Sequence, residues 1–228
     1  MTTAKNRTSR VAIFDLDGTI LNTLPSLVKS CNETLTSLGL PPFNEEEVKK
    51  FLGAGQGVLI ERMMAASGVY DPSVIDQARR TFKALFPKLS TYQVKPFEGI
   101  PAMLDEVAAM GFKLAVLTNK NDQVTPAVIA SSFPPGLFSI VRGARRFVPL
   151  KPDPRSTLRI LRILKANPVD SFFIGDSDID ILTGRAAGMR TIAVTWGFRS
   201  RQELEALAPD LLAETPQAIV DYIARVDH

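Results

Sequence analysis

The stretch from Val11 to Thr19, V-A-I-F-D-L-D-G-T, constrains this chain more than any other. Val11, Ala12, Ile13 and Phe14 form a short apolar run that reads as a strand buried on both faces. Asp15 and Asp17 follow at once, and Gly18 breaks the extended run. Acids two apart at the end of a buried strand fall in the carboxyl-end crevice where α/β sheets bind their ligands. Two carboxylates held there repel each other, so such a site asks for a cation. Taken alone, D-x-D-G reads equally well as a solvated turn carrying two surface acids. The rest of the chain decides between the two.

Residue counts exclude several chemistries. The only histidine is His228, the last residue. A Ser-His-Asp triad, a Cys-His pair or a His-rich zinc site would have to be built from a frayed end. Chemistry is therefore expected to rest on carboxylates, lysine and hydroxyls. The single cysteine, Cys31, can form no internal disulfide and suits a reducing cytoplasm. No apolar run reaches the ~18 residues of a membrane span. The polar, basic first ten residues, followed by an apolar run that Asp15 cuts short, read as a frayed terminus and not as a signal peptide. A net charge of +3 gives little reason to expect nucleic acid or a membrane as partner. A chain of 228 residues can bury a sizeable core.

Leu24, Leu27, Val28, Cys31, Leu35 and Leu38 keep helical spacing up to Gly39. Asn44 and Glu47 form a capping box for a second helix. G-A-G-Q-G at 53–57 then leads to helices over 58–66 and 73–86. This glycine run lacks the G-x-G-x-x-G spacing and follows a helix, so it reads as a helix connection; Gly55, Gln56 and Gly57 are candidates for touching a substrate. Residues 21–93 thus read as an all-helical insertion, too long for an ordinary crossover, between residues 1–20 and 94–228. Behind it the spacing predicts a helix opened by Pro101, a strand over 113–118, a helix over 121–132 and a strand over 137–141. A helix with Asp153 as N-cap and Pro154 at N1 follows, then a strand over 171–175, a helix to Ala187 and a strand over 191–195. A Ser200–Glu203 capping box and Thr215-Pro216 open the last two helices. The alternation predicts an α/β core: a doubly wound, parallel, Rossmann-like sheet.

Parallel strands present their C-terminal ends on one edge, which collects Asp15, Asp17, Thr118, Lys151, Asp176 and Asp180. Unit charges 4 Å apart interact by about 4 kcal/mol at an effective dielectric of 20. Carboxylates crowded beside a phosphate dianion therefore need counter-charge, for which Lys151 and Mg²⁺ are the natural sources. Oxygen donors without neighbouring His or Cys favour Mg²⁺ over zinc. Thr118 and backbone N–H groups after Asp15 can donate to phosphoryl oxygens.

With D-L-D-G-T, L-T-N, K-P-D-P and G-D-S-D-I-D in this order, the chain resembles the phosphatases of the haloacid dehalogenase superfamily. F-L-G-A-G-Q and P-F-E-G-I-P resemble the phosphoglycolate phosphatase subgroup, so the likeness spans nearly the whole chain. The resemblance implies that Asp15 is the nucleophile of an aspartyl-phosphate intermediate and Asp17 the general acid/base. It implies that Thr118, Asn119 and Lys151 hold phosphate. Mg²⁺ would be bound by Asp15, the backbone carbonyl of Asp17 and Asp176, with Asp180 in support. Residues 21–93 would be a helical cap that closes over the sheet edge, with Gly55, Gln56 and Gly57 reaching the substrate. The implied partner is a small-molecule phosphate ester, 2-phosphoglycolate first, acted on by a cytoplasmic monomer or homodimer.

Two departures keep other substrates open. Asn22-Thr23 stands where many phosphoglycolate phosphatases carry Asp-Ser, and I-L-N-T is closer to relatives that cleave inorganic pyrophosphate. Arg142 to Arg146 replaces an often acidic stretch and reads as a solvated loop. A sugar-phosphate phosphatase or mutase is a further alternative. Asp17 speaks for phosphoryl transfer over dehalogenation, because a halide leaves without a proton and an alkoxide does not. A receiver-like phospho-accepting switch shares the sheet, the acceptor Asp, the hydroxyl and the lysine. It requires neither the helical insertion nor the second acid.

Overall fold

The computed structural model describes residues 9–226; the expected frayed N-terminus up to residue 8, and His228, lie outside these. In chain order the elements begin with β1 (Arg10–Phe14), β2 (Leu21–Asn22), α1 (Leu24–Ser37), α2 (Glu45–Lys49), α3 (Gln56–Ala66), α4 (Pro72–Leu89) and β3 (Lys95–Pro96). They continue with α5 (Ile100–Ala109), β4 (Phe112–Asn121), α6 (Thr125–Ala130), β5 (Ile140–Ala144) and α7 (Arg155–Leu164). The chain closes through β6 (Phe172–Gly175), α8 (Asp178–Ala186), β7 (Arg190–Val194), α9 (Arg201–Glu205), β8 (Leu211–Ala213) and α10 (Pro216–Val226).

Six strands form one sheet in the order β5-β4-β1-β6-β7-β8, every neighbouring pair parallel. The alternating direction of side chains along a strand explains why the central runs are apolar throughout. Ala12 and Phe14 of β1 face one layer with Leu114, Val116, Phe172 and Ile174, and pack on Leu104 and Val107 of α5 and Ile219 and Ile223 of α10. Val11 and Ile13 face the other layer with Ala115, Leu117 and Phe173, and pack on Ile160, Leu161 and Leu164 of α7. The strand order reverses at β1, the position where such sheets open a ligand crevice.

The helices α1 to α4 gather around an apolar cluster of their own, including Leu27, Cys31, Leu35, Met63, Met64, Phe82 and Phe86. Val124, ahead of α6, joins this cluster from the sheet side. A two-residue antiparallel pairing of β2 with β3 ties the entry and exit of the helical stretch together.

Several boundaries differ from the sequence reading. The strand expected over 113–118 runs on to Asn121, so the helix expected from 121 begins only at Thr125. The strand expected over 137–141 lies at Ile140–Ala144, pairing Arg142 with Leu117, so Arg142 belongs to a sheet edge and not to a loop. The helix α7 begins at Arg155, one residue later than read, so Pro154 stands at the N-cap position while the Asp153 carboxylate still accepts the backbone N–H of Arg155. The strand β8 and the β2–β3 pairing have too few residues to leave a periodic signal. The capping boxes at Asn44–Glu47 and Ser200–Glu203 are present as read.

The separate cluster under α1 to α4 can be tested through Phe82, which is fully buried with its ring centre 5.0 Å from that of Phe86. Phe82→Ala should cost about 3–5 kcal/mol of stability in urea unfolding. Hydrogen exchange should localise the lost protection to α1–α4 and leave the β1–β4–β6 amides protected.

Candidate active site

The acids sit where strands end. Asp15 follows β1 directly; Asp176 and Asp180 come from the turn after β6 and the first turn of α8. Asp15, Asp176 and Asp180 each bring a carboxylate oxygen within 4.8 Å of the others, and are the only such group among the described residues. Close approach requires glycine beside them. At Gly18, where φ is +82°, a Cβ would stand 2.4 Å from Asp176 Oδ2, and at Gly175 one would stand 2.2 Å from the Asp180 Cβ.

Lys151 is the cation inside this group. Its Nζ donates to Asp180 Oδ1 at 2.6 Å and lies 2.9 Å from Asp15 Oδ1, as an ion pair without good hydrogen-bond alignment. Asp180 Oδ2 accepts from the Ser177 N–H and hydroxyl, so both oxygens of the fully buried Asp180 are occupied. Asp176 accepts from Thr19 Oγ1 at 3.1 Å and from the Phe198 N–H at 2.7 Å. Burial raises the Asp15 carboxyl to about 7 against the pull of Lys151, with Asp180 and Asp17 adding repulsion. Burial, then Asp180 and Asp15, raise Asp176 to about 8. Burial alone would lower Lys151, but Asp15 and Asp180 outweigh it and hold the ammonium above its ordinary value. Once Asp15 and Asp176 ionise, one lysine against three buried acids leaves negative charge in excess, and the donors are all carboxylate oxygens. That set fits a hard divalent cation.

The remaining residues expected at the site divide. Asp17 lies beside Asp15, its Oδ1 accepting from Thr23 Oγ1 at 2.6 Å and Lys120 Nζ at 2.8 Å. Thr118 is buried and lines the same cavity. The Asn119 side chain is engaged elsewhere: Oδ1 accepts the Lys151 N–H, and Nδ2 donates to the Lys151 and Gly53 carbonyls. Gly55 and Gln56 line the cavity. Gly57 does not: α3 starts at Gln56, which turns Gly57 outward into open space. Sequence reasoning missed Lys120 and Arg199, which line the cavity too. Lys120 carried no usable signal: the strand register shifts between Leu117 and Asn121, and Thr118, Asn119, Lys120 and Asn121 all line the cavity, so a two-residue alternation does not single it out.

The cavity is small, about 70 Å³, with the acids on one side and Leu27, Leu52, Leu59, Phe82, Phe86 and Phe198 on the other. The helical stretch is fastened over it by Arg199, which donates to the Leu52 carbonyl at 3.0 Å, and by Asn119 on Gly53 at 3.1 Å.

Comparison with known proteins agrees with this arrangement. The family model for haloacid dehalogenase-like hydrolases matches residues 12–194. A phosphoglycolate phosphatase of Psychrobacter arcticus is 30% identical over 221 residues, covering 95% of this chain and 96% of that protein. One from Aquifex aeolicus is 30% identical over 215 residues, covering 92% and 95%. A solved structure from Lactobacillus delbrueckii subsp. bulgaricus superposes with a TM-score of 0.88 at 28% identity, covering 95% of this chain and 98% of that one. The chain belongs to the haloacid dehalogenase-like hydrolase family. Within it, the chain is an enzyme of the phosphatase kind, similar to the phosphoglycolate phosphatases.

The electrostatics carry a pH prediction. Asp15 and Asp176 have raised values in the folded chain, about 7 and about 8 against 3.8 ordinarily. The unfolded chain therefore gives up these protons first, so the stability these two groups contribute is full below about pH 4 and is lost as pH rises through about 7 to 8. Thermal melts in chelator should show this decline. A divalent cation should raise the melting temperature more at pH 8 than at pH 5.

Proposed function

We propose that the protein is a Mg²⁺-dependent phosphomonoesterase acting through an aspartyl-phosphate on a small phosphorylated metabolite, 2-phosphoglycolate first. The observation that carries the reading is the excess of buried carboxylate at the end of β1, with Lys151 as its one close cation. Asp15, the Asp17 carbonyl and Asp176 would hold Mg²⁺, with Asp180 held in reserve by Lys151 and Ser177. Bound there, the metal would polarise the phosphoryl group and offset the excess charge.

In this reading an Asp15 oxygen attacks phosphorus in line and the ester P–O bond breaks. Asp17 gives its proton to the leaving oxygen and recovers one from the water that hydrolyses the aspartyl-phosphate. Thr118 and Lys151 hold the phosphoryl oxygens. Asn119 acts indirectly, by fixing the backbone of Lys151. Residues 21–93 serve as a cap over a core formed by 1–20 and 94–228, with the cap limiting the leaving group. No helix among the described residues is long and apolar enough to cross a membrane, and lone buried Cys31 suits a reducing cytoplasm.

A short ester is supported by the cavity of about 70 Å³ and by the phosphoglycolate phosphatase relatives. The Asn22-Thr23 pair adds no separate argument for pyrophosphate. Asn22 Oδ1 accepts the Leu24 N–H and Thr23 donates to Asp17, so both serve local structure.

Phosphate release should be measured with and without Mg²⁺ across 2-phosphoglycolate, pyrophosphate, and several hexose and triose phosphates. The highest kcat/KM is expected for 2-phosphoglycolate, and a full rate in chelator would overturn the metal assignment. Asp15→Asn, near-isosteric, should remove activity by at least about 10³-fold while the fold is kept. Retention of more than a few per cent of kcat would remove Asp15 as nucleophile.

A further inference from the structure

We infer that Lys120 is a positioning residue that aims Asp17 for proton transfer, a role that rests on the phosphatase reading above. The Lys120 side chain is 2% exposed, and its Nζ lies 2.8 Å from Asp17 Oδ1. Thr23 Oγ1 donates to the same oxygen at 2.6 Å. Both bonds fall on Oδ1, which leaves Oδ2 as the oxygen on which a proton travels. A carboxylate turns broadly about its last torsion. Two donors on one oxygen, one from β4 and one from the residue before α1, remove that freedom.

A third contact ties this grip to the helical stretch. The ammonium stands 4.9 Å from the centre of the Phe86 ring in α4, a ring that also lines the cavity. A cation is attracted to an aromatic face, more strongly where water is excluded. Lys120 thus touches Asp17, at the end of β1, and the far end of the helical stretch at once. Asp17 is held in this orientation when α4 is packed over the site. In the reaction the Oδ2 proton passes to the ester oxygen as the P–O bond breaks and returns from water in the second step. Lys120 keeps its protons throughout and does not touch the reacting atoms.

Single-turnover and steady-state rates with Mg²⁺ on 2-phosphoglycolate and on 4-nitrophenyl phosphate test the role, because the alkyl leaving group needs a proton and the aryl one hardly does. Lys120→Met should lower kcat on the alkyl ester by about 10- to 100-fold, within what general acid–base catalysis contributes. KM should change by less than about threefold, and the loss on the aryl ester should be at least about tenfold smaller. Added to Asp17→Asn, the same change should cost no more than about twofold, since two residues acting through one step are not additive. Lys120→Arg should recover part of the loss. Equal losses on both esters, a loss confined to KM, or full additivity with Asp17→Asn would overturn the role; a KM effect alone would make Lys120 a substrate contact. Should Lys120→Met fail to fold by far-UV circular dichroism, Lys120→Gln and Lys120→Arg carry the same comparison. If the wild-type enzyme turns over neither ester, the phosphatase reading falls and the role with it. Normal wild-type turnover with an unaffected Lys120→Met variant overturns the role of Lys120 alone.

Discussion

The ion triad of Lys151 with Asp15 and Asp180 is the interaction on which the site depends. A buried ammonium is costly unless paired, and paired carboxylates lose far more when their cation is removed than the pair contributes on balance. The lysine stem is long and flexible, so its aim has to come from its backbone. Asn119, near the end of β4, supplies that aim by accepting the Lys151 N–H at 2.9 Å and donating to its carbonyl at 3.0 Å. The order of the sheet therefore matters to the charge balance. β4 lies next to β1, which brings Asn119 and the Lys151 turn beside Asp15.

The same asparagine reaches the helical stretch through the Gly53 carbonyl, and Arg199 reaches Leu52. Backbone groups near short helix ends lack intrahelical partners, and here groups from the sheet side satisfy two of them. A neutral hydrogen bond of this kind contributes about 0.5–1.5 kcal/mol net. Val124 and Phe198 add apolar contact from that side, and Lys120 adds its ammonium over the Phe86 ring.

These contrasts decide what the sequence could reveal. β1, β4, β6 and β7 were legible because strands covered on both faces carry unbroken apolar runs. β8, Leu211 to Ala213, and β5, which carries Arg142, are edge strands with short or mixed sequences, so their signal is weak. Capping boxes were legible because both partners lie within four residues. Asp15, Asp176 and Lys151 were legible because strand ends and K-P-D-P mark positions in the topology. Lys120 was not, because a lysine in T-N-K-N reads as a solvated charge until α4 is known to cover it. The outward turn of Gly57 depends on where α3 starts, a boundary set by packing and not by any local stop signal.

The walls of the cavity complete the physical case for a short leaving group. Leu27, Leu52, Leu59, Phe82 and Phe86 come from the helical stretch, and Phe198 from the loop after β7. Such walls displace water, which strengthens the charges on the acid side. They also offer a hydroxyl-rich sugar few partners, and a buried hydroxyl without one costs about 1–3 kcal/mol. The polar groups on the cavity lining besides the acids are Gln56, Thr118, Asn119, Lys120, Asn121, Ser177 and Arg199, of which Lys120 is already shared with Asp17 and Asn119 with the Lys151 backbone. Beside Asp15 the helical stretch thus presents mostly apolar side chains, and by displacing water they strengthen the charges they face.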